Sequence, residues 1–178
     1  FAIAVVHLFT LGMLAMIIFG AMQQMMPVLA GAVIKKPILF GNVVYLSLTF
    51  GTLFFSASFL FSNKILLIIG AGLLSLSFLV FFASAIYLLF QVKFLTSTVS
   101  AMKFFSICGI ITAILGLYLA TGYINENLGA QHLNFVNSHA TFGLFGFGVI
   151  LIMGVAFQVI PMFYVALDFH KFIQTKIT

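Results

Sequence analysis

Charge is what these 178 residues have least of: seven lysines, Glu126 and Asp168, and no arginine. Charged side chains make up 5% of the chain, against about a quarter in a water-soluble domain, which excludes that class. Two acidic residues that far apart in the sequence offer no carboxylate pair for acid–base work. Cys108 is the single cysteine. It excludes an internal disulfide and any multi-cysteine metal site, and inside an apolar run it reads as a buried, inert thiol. There is no phosphate-binding glycine loop, no zinc motif and no visible nucleophilic triad. The chain opens on Phe1 inside an apolar run, with no basic region before it, so no signal peptide is visible there. The expectation is a single transmembrane domain over 1–178, complete or part of a longer chain.

What is present is apolar: 64% of the residues are hydrophobic. Several runs reach the ~20 residues that a helix needs to cross a bilayer. Barrel strands would instead alternate apolar and polar residues over ~10-residue segments. The pattern predicts an all-α, polytopic transmembrane helical bundle of five spans, in contact with the lipid bilayer. They cover about Ala2 to Met26 (stopped by Pro27), Ile38 to Phe61, Ile65 to Gln91, Phe104 to Tyr123, and Val136 to Val165. Ser62-Asn63-Lys64, the polar stretch from Lys93 to Lys103, and the loop from Ile124 to Phe135 connect them. The tail from Leu167 to Thr178 reads as basic and interfacial.

The net charge of +5 would suggest nucleic acid on a soluble protein. Here the lysines lie between apolar runs, so topology accounts for them and no nucleic-acid partner is expected. Five spans put Lys35, Lys36, Lys93, Lys103, Lys171 and Lys176 on one side and Lys64 alone on the other. The positive-inside rule makes the lysine-rich side cytoplasmic. In a bacterium the protein would lie in the inner membrane, with its N-terminus periplasmic and its C-terminus cytoplasmic.

Two histidines stand out, because an ionisable side chain at membrane depth is costly and marks a candidate site. His7 and His139 each lie near the outer end of a span running outside to inside, so they should share a depth. The two spans also echo each other: Gly20-Ala21-Met22-Gln23-Gln24-Met25-Met26-Pro27 and Gly154-Val155-Ala156-Phe157-Gln158-Val159-Ile160-Pro161 share Gly-x-x-x-Gln-x-x-Pro. This suggests an internal repeat of spans one and five. The histidines precede that motif by thirteen and fifteen residues, so aligning the glycines sets Thr141, not His139, opposite His7. Gln24 and Gln158 should find interhelical hydrogen bonds, and the glycines should allow close approach of helices or of a flat macrocycle.

Two imidazoles from opposing helices can hold a six-coordinate haem iron. Phe9, Phe142, Phe145 and Phe147 flank the pair as candidate slot-lining rings. The bland alternative for each histidine is a lone polar residue bonded to a backbone carbonyl or to water. His132, in the outer loop, is a candidate for a haem propionate or a second metal, or is a solvated loop residue; His170 belongs to the inner tail. Met13, Met16, Met22, Met25 and Met26 crowd the first span. Their thioethers suit Cu(I), but methionine also fills gaps in ordinary cores.

The segment His7…Met16…Pro27-Val28-Leu29-Ala30-Gly31…Pro37…Asn42 resembles the haem-ligand helix of haem–copper oxidase subunit I and the loop after it. His139-Ala140-Thr141-Phe142-Gly143…Pro161-Met162-Phe163 looks like the second histidine helix of short relatives such as the NnrS-type membrane haem proteins. The resemblance implies a b-type haem with His7 and His139 as axial ligands, electron transfer or oxidoreductase chemistry on NO or O₂, and a redox partner or further subunits. The chain departs from the oxidases in having no arginines for the propionates and only His132 and His170 beyond the pair. That points to a simpler haem protein, or to catalytic helices elsewhere. Two other classes remain open: a transporter or channel-like bundle lined by the repeated glutamine helices, and a structural subunit of a respiratory complex without its own haem. Homo-oligomerisation is open too.

Overall fold

The computed structural model describes residues 1–167 and 169–170, so the expectations placed on Asp168, Lys171 and Lys176 lie outside the described residues. Five helices are long and apolar enough to cross a membrane: α1 (Ala2–Ala30), α2 (Pro37–Phe61), α3 (Lys64–Leu89), α4 (Ser97–Ile124) and α5 (His132–Tyr164). No strand occurs among the described residues. In hydrocarbon every backbone polar group must be satisfied within its own segment, and continuous helices do this.

The helix ends differ from the expected ones for local reasons. α1 runs through Pro27 and stops at Gly31, whose φ of 66° closes the helix; Gly31 N–H donates to Pro27 O at 3.1 Å and Ala32 N–H to Met26 O at 3.0 Å. A proline so near the end forfeits one ladder bond, which a membrane helix tolerates. α4 begins at Ser97, seven residues before the expected Phe104, because the Thr96 hydroxyl caps it by accepting from Val99 N–H at 3.2 Å. Asn63 caps α3 in the same way, accepting from Ile65 and Leu66 N–H at 2.9 and 3.2 Å. α5 starts at His132 rather than Val136, so His132 is a helix residue and not a loop residue.

α2, α3 and α4 form the packed centre, with α1 and α5 flanking it. The core is largely aromatic: Phe19 stacks on Phe81 at 3.8 Å between ring centres, and Phe147 meets Phe105 at 4.9 Å. Met22 and Met26 are fully buried in this cluster whereas Met13 is exposed, so the methionines of α1 do not converge on one point. α5 lies close against α4 through small residues. A Cβ on Gly146 would stand 2.6 Å from Cys108 Cβ, and one on Gly154 would overlap the Ala101 methyl. Cys108 is buried in that contact. The Thr98 hydroxyl bridges the same seam, donating to Gly154 O at 2.8 Å.

α1 and α5 each contain a π-helical stretch, at Thr10–Ala15 and Phe142–Val149. Such stretches are rare and frequently found at functional sites. Each begins three residues after a histidine.

Candidate functional site: a pair of facing histidines

His7 and His139 come together. Their ring centres are 6.2 Å apart and the ring planes lie within 19° of parallel. The Phe19–Phe81 stack, at 3.8 Å, shows what direct contact between parallel rings looks like in this protein. The imidazoles are therefore paired but not in direct ring contact.

Each ring is held through the same nitrogen. His7 Nδ1–H donates to Ile3 O, one turn back in its own helix, at 2.8 Å. His139 Nδ1–H donates to Thr112 O, on α4, at 3.0 Å. A carbonyl only accepts, so both Nδ1 atoms carry the proton. In a neutral ring this leaves the Nε2 lone pair available on each side. Phe55 packs against the His7 ring at 4.9 Å. Gly116 lies under His139, where a Cβ would stand 2.9 Å from its Cε1. Near His7, the Ser56 hydroxyl donates to Ala4 O at 3.4 Å. The Thr52 hydroxyl, one turn along α2, is buried without a hydrogen-bond partner among the described residues.

The backbones of 2–9 and 132–141 barely approach each other. Deeper in the bundle the same two helices meet through Phe19 and Phe147, at 5.9 Å. α1 and α5 thus meet at the aromatic core, and nearer their other ends the two imidazoles lie side by side without touching.

The π-helical stretches explain why the motif spacing misleads. The first has six residues and the second eight, and the α-helical segments after them, Met16–Ala30 and Ile150–Tyr164, have fifteen each. Gly20 and Gly154 are both the fifth residue of those segments. The two-residue excess before Gly154 equals the difference in length of the π stretches, and it is His139, not Thr141, that lies beside His7.

The other expected residues fall elsewhere. His132 stands edge-on to Tyr123 at 5.7 Å and lines a surface pocket of about 230 Å³ with Tyr118, Asn125 and Asn127, apart from the pair. No cluster of three or more His, Cys, Asp or Glu occurs among the described residues. Phe147 joins the aromatic core, while Phe9 and Phe145 are exposed on the apolar outer surface. Gln24 is exposed, and the Gln158 Oε1 is buried without a partner among the described residues, so that oxygen accepts no interhelical bond. His170 is exposed beyond the end of α5. Thr112, Gly116 and Phe55 went unnoticed in the sequence. Thr112 acts through its backbone carbonyl, which no side-chain pattern announces.

Lys64 Nζ and Glu126 Oε1 form an ion pair at 2.6 Å, tying the α2–α3 connection to the α4–α5 connection at the end of the bundle where the histidines lie. The Lys64 ammonium holds the exposed Glu126 carboxyl below its usual range.

These features define an all-α integral membrane protein with a pair of neighbouring histidines between its first and last spans. Comparison with protein-family models, curated proteins and solved structures returned no match.

Proposed function

We propose that the chain is a membrane b-type haem protein in which His7 and His139 are the two axial ligands. The observation that carries this reading is the spacing of the rings. A metal–imidazole bond is about 2 Å long and the bonding nitrogen lies about 1 Å from its ring centre, so two imidazoles on one ion sit about 6 Å apart. The pair is at 6.2 Å. Both rings have Nδ1 bonded to a carbonyl and Nε2 free, the arrangement in which metal-bound histidines are ordinarily held. The backbones on either side make few contacts with each other, as a flat macrocycle held between them would require.

Bound haem would supply one-electron transfer, and chemistry on NO or O₂ if one axial position were vacated. The protein's part is to present two neutral imidazoles at one level, fix their tautomers through Ile3 and Thr112, and surround them with apolar helix. The lysine-rich end, with Lys35, Lys36, Lys93 and Lys103, faces the cytoplasm of a bacterial inner membrane. The histidine pair then sits toward the periplasm, within reach of a redox partner or another subunit.

The test is an absorption spectrum of the purified protein with a pyridine haemochrome assay. A Soret band that is lost in the His7→Ala, His139→Ala double variant supports the reading. A protein without the band, or with one unchanged in that variant, overturns it.

A further inference from the structure

The two histidines are held in different ways. His7 is oriented within its own helix, by the carbonyl four residues back. His139 is oriented by a neighbouring helix, across 27 residues of sequence. From this we propose that Gly116 and the Thr112 carbonyl form a positioning device on α4 that sets the orientation and basicity of the His139 imidazole. The inference rests on the haem reading above.

The geometry is specific. Thr112 and Gly116 are four residues apart, one turn of α4, so the Thr112 carbonyl is also the acceptor for the Gly116 N–H in the helix ladder. The His139 Nδ1–H must therefore reach a carbonyl already used once, on the surface of a helix. It can do so only if the ring lies close along that surface. Gly116 makes room for this. Any side chain there would begin with a Cβ 2.9 Å from His139 Cε1, inside the normal contact distance. The neighbouring contact between α4 and α5 is also tight, with a Cβ on Gly143 standing 3.2 Å from Thr112 Cγ2. α5 is thus held at the distance where the hydrogen bond closes.

A hydrogen bond from Nδ1–H to a fixed acceptor raises the basicity of the ligating nitrogen and fixes the ring angle. A more basic ligand favours ferric over ferrous iron and lowers the potential. The Thr112 bond therefore makes His139 a stronger donor than it would be without that bond, and tilting the ring away from the carbonyl weakens the effect.

The experiment uses the full-length protein reconstituted with haem b. Gly116→Ala is expected to keep its haem, to shift the midpoint potential upward and to change the low-spin electron paramagnetic resonance signal, which reports axial-ring orientation. Gly72→Ala is the control, since Gly72 is exposed on α3 and a Cβ there would meet nothing within 4 Å; it should leave both readouts at the wild-type values. An unchanged potential and signal in Gly116→Ala, or an equal shift in Gly72→Ala, overturns the positioning role while leaving the haem reading intact. A wild-type protein that takes up no haem overturns the reading itself. If Gly116→Ala does not fold, the bond is read in the wild type by nitrogen NMR of histidine-labelled ferrous protein. A slowly exchanging His139 Nδ1–H supports the device, and a freely exchanging one refutes it.

Discussion

Gly20 and Gly154 hold the same place, fifth in two fifteen-residue helical segments, although their partner histidines stand thirteen and fifteen residues before them. The difference equals that between their π-helical stretches, of six and eight residues. The two spans thus share a plan of histidine, π-helical stretch and fifteen-residue segment, while their Gly-x-x-x-Gln-x-x-Pro ends pack differently: Gly154 lies against Ala101, and Gly20 has open space beside it.

That relationship can be tested by a deletion. Removing Ile152, which is exposed in the α-helical segment between the second π stretch and Gly154, turns everything before it by about 100° relative to everything after it. The later half of α5 stays anchored by Gly154 against α4, so His139 should swing off the Thr112 carbonyl and away from His7. Circular dichroism should show helical content close to wild type, while the proposed haem band is lost. Retention of the band with the same intensity would mean that the register of α5 does not set the histidine pair.

The α4–α5 seam is the second place where one residue decides. Gly146→Ala puts a methyl 2.6 Å from Cys108 Cβ, and overpacking of this kind costs about 1–3 kcal/mol. Unfolding in detergent should show that loss. Combining the substitution with Cys108→Gly should recover part of it, because the two changes share one contact.

The five spans and the shared end of the two histidines were legible in the sequence because long apolar runs and lysine placement are signals summed over many residues. Helix ends were less so, since each turns on one side chain: the Thr96 cap lengthens α4, and α5 begins at His132 within a stretch that reads as polar loop. Pro27 reads as a stop but only costs α1 one bond. The π stretches were invisible, because Phe142-Gly143-Leu144-Phe145-Gly146-Phe147-Gly148-Val149 has no periodicity that distinguishes π from α. The partners of His139 were hidden for another reason: one is a carbonyl, which every residue has, and the other is one of fifteen glycines.

The Lys64–Glu126 pair gives a pH dependence of known sign. The folded carboxyl titrates below its ordinary value, first because it accepts a hydrogen bond from Lys64 and then because of that ammonium's charge. Its contribution is present above the ordinary carboxylate range and is lost as pH falls through the lowered folded value. Because the pair is exposed, the effect is small and screened by salt. Thermal melts in detergent at low salt should show a slight loss of stability on acidification from neutral pH, and Glu126→Gln should flatten that part of the profile. A profile identical in the two proteins would show that the tie between the connections contributes nothing.

The proposed orientation rests on the lysines and can be read directly. Cys108 is buried, so a Cys108→Ala background leaves single introduced cysteines as the reactive thiols. In that background Lys64→Cys and Lys36→Cys report opposite ends of the bundle, because α2 runs between them and both positions are exposed. If the lysine-rich end is cytoplasmic, a membrane-impermeant thiol reagent added to intact cells should label Lys64→Cys and leave Lys36→Cys unlabelled until the membrane is opened. The reverse pattern would put the histidine pair at the cytoplasmic end, and any electron donor would then have to approach from that side.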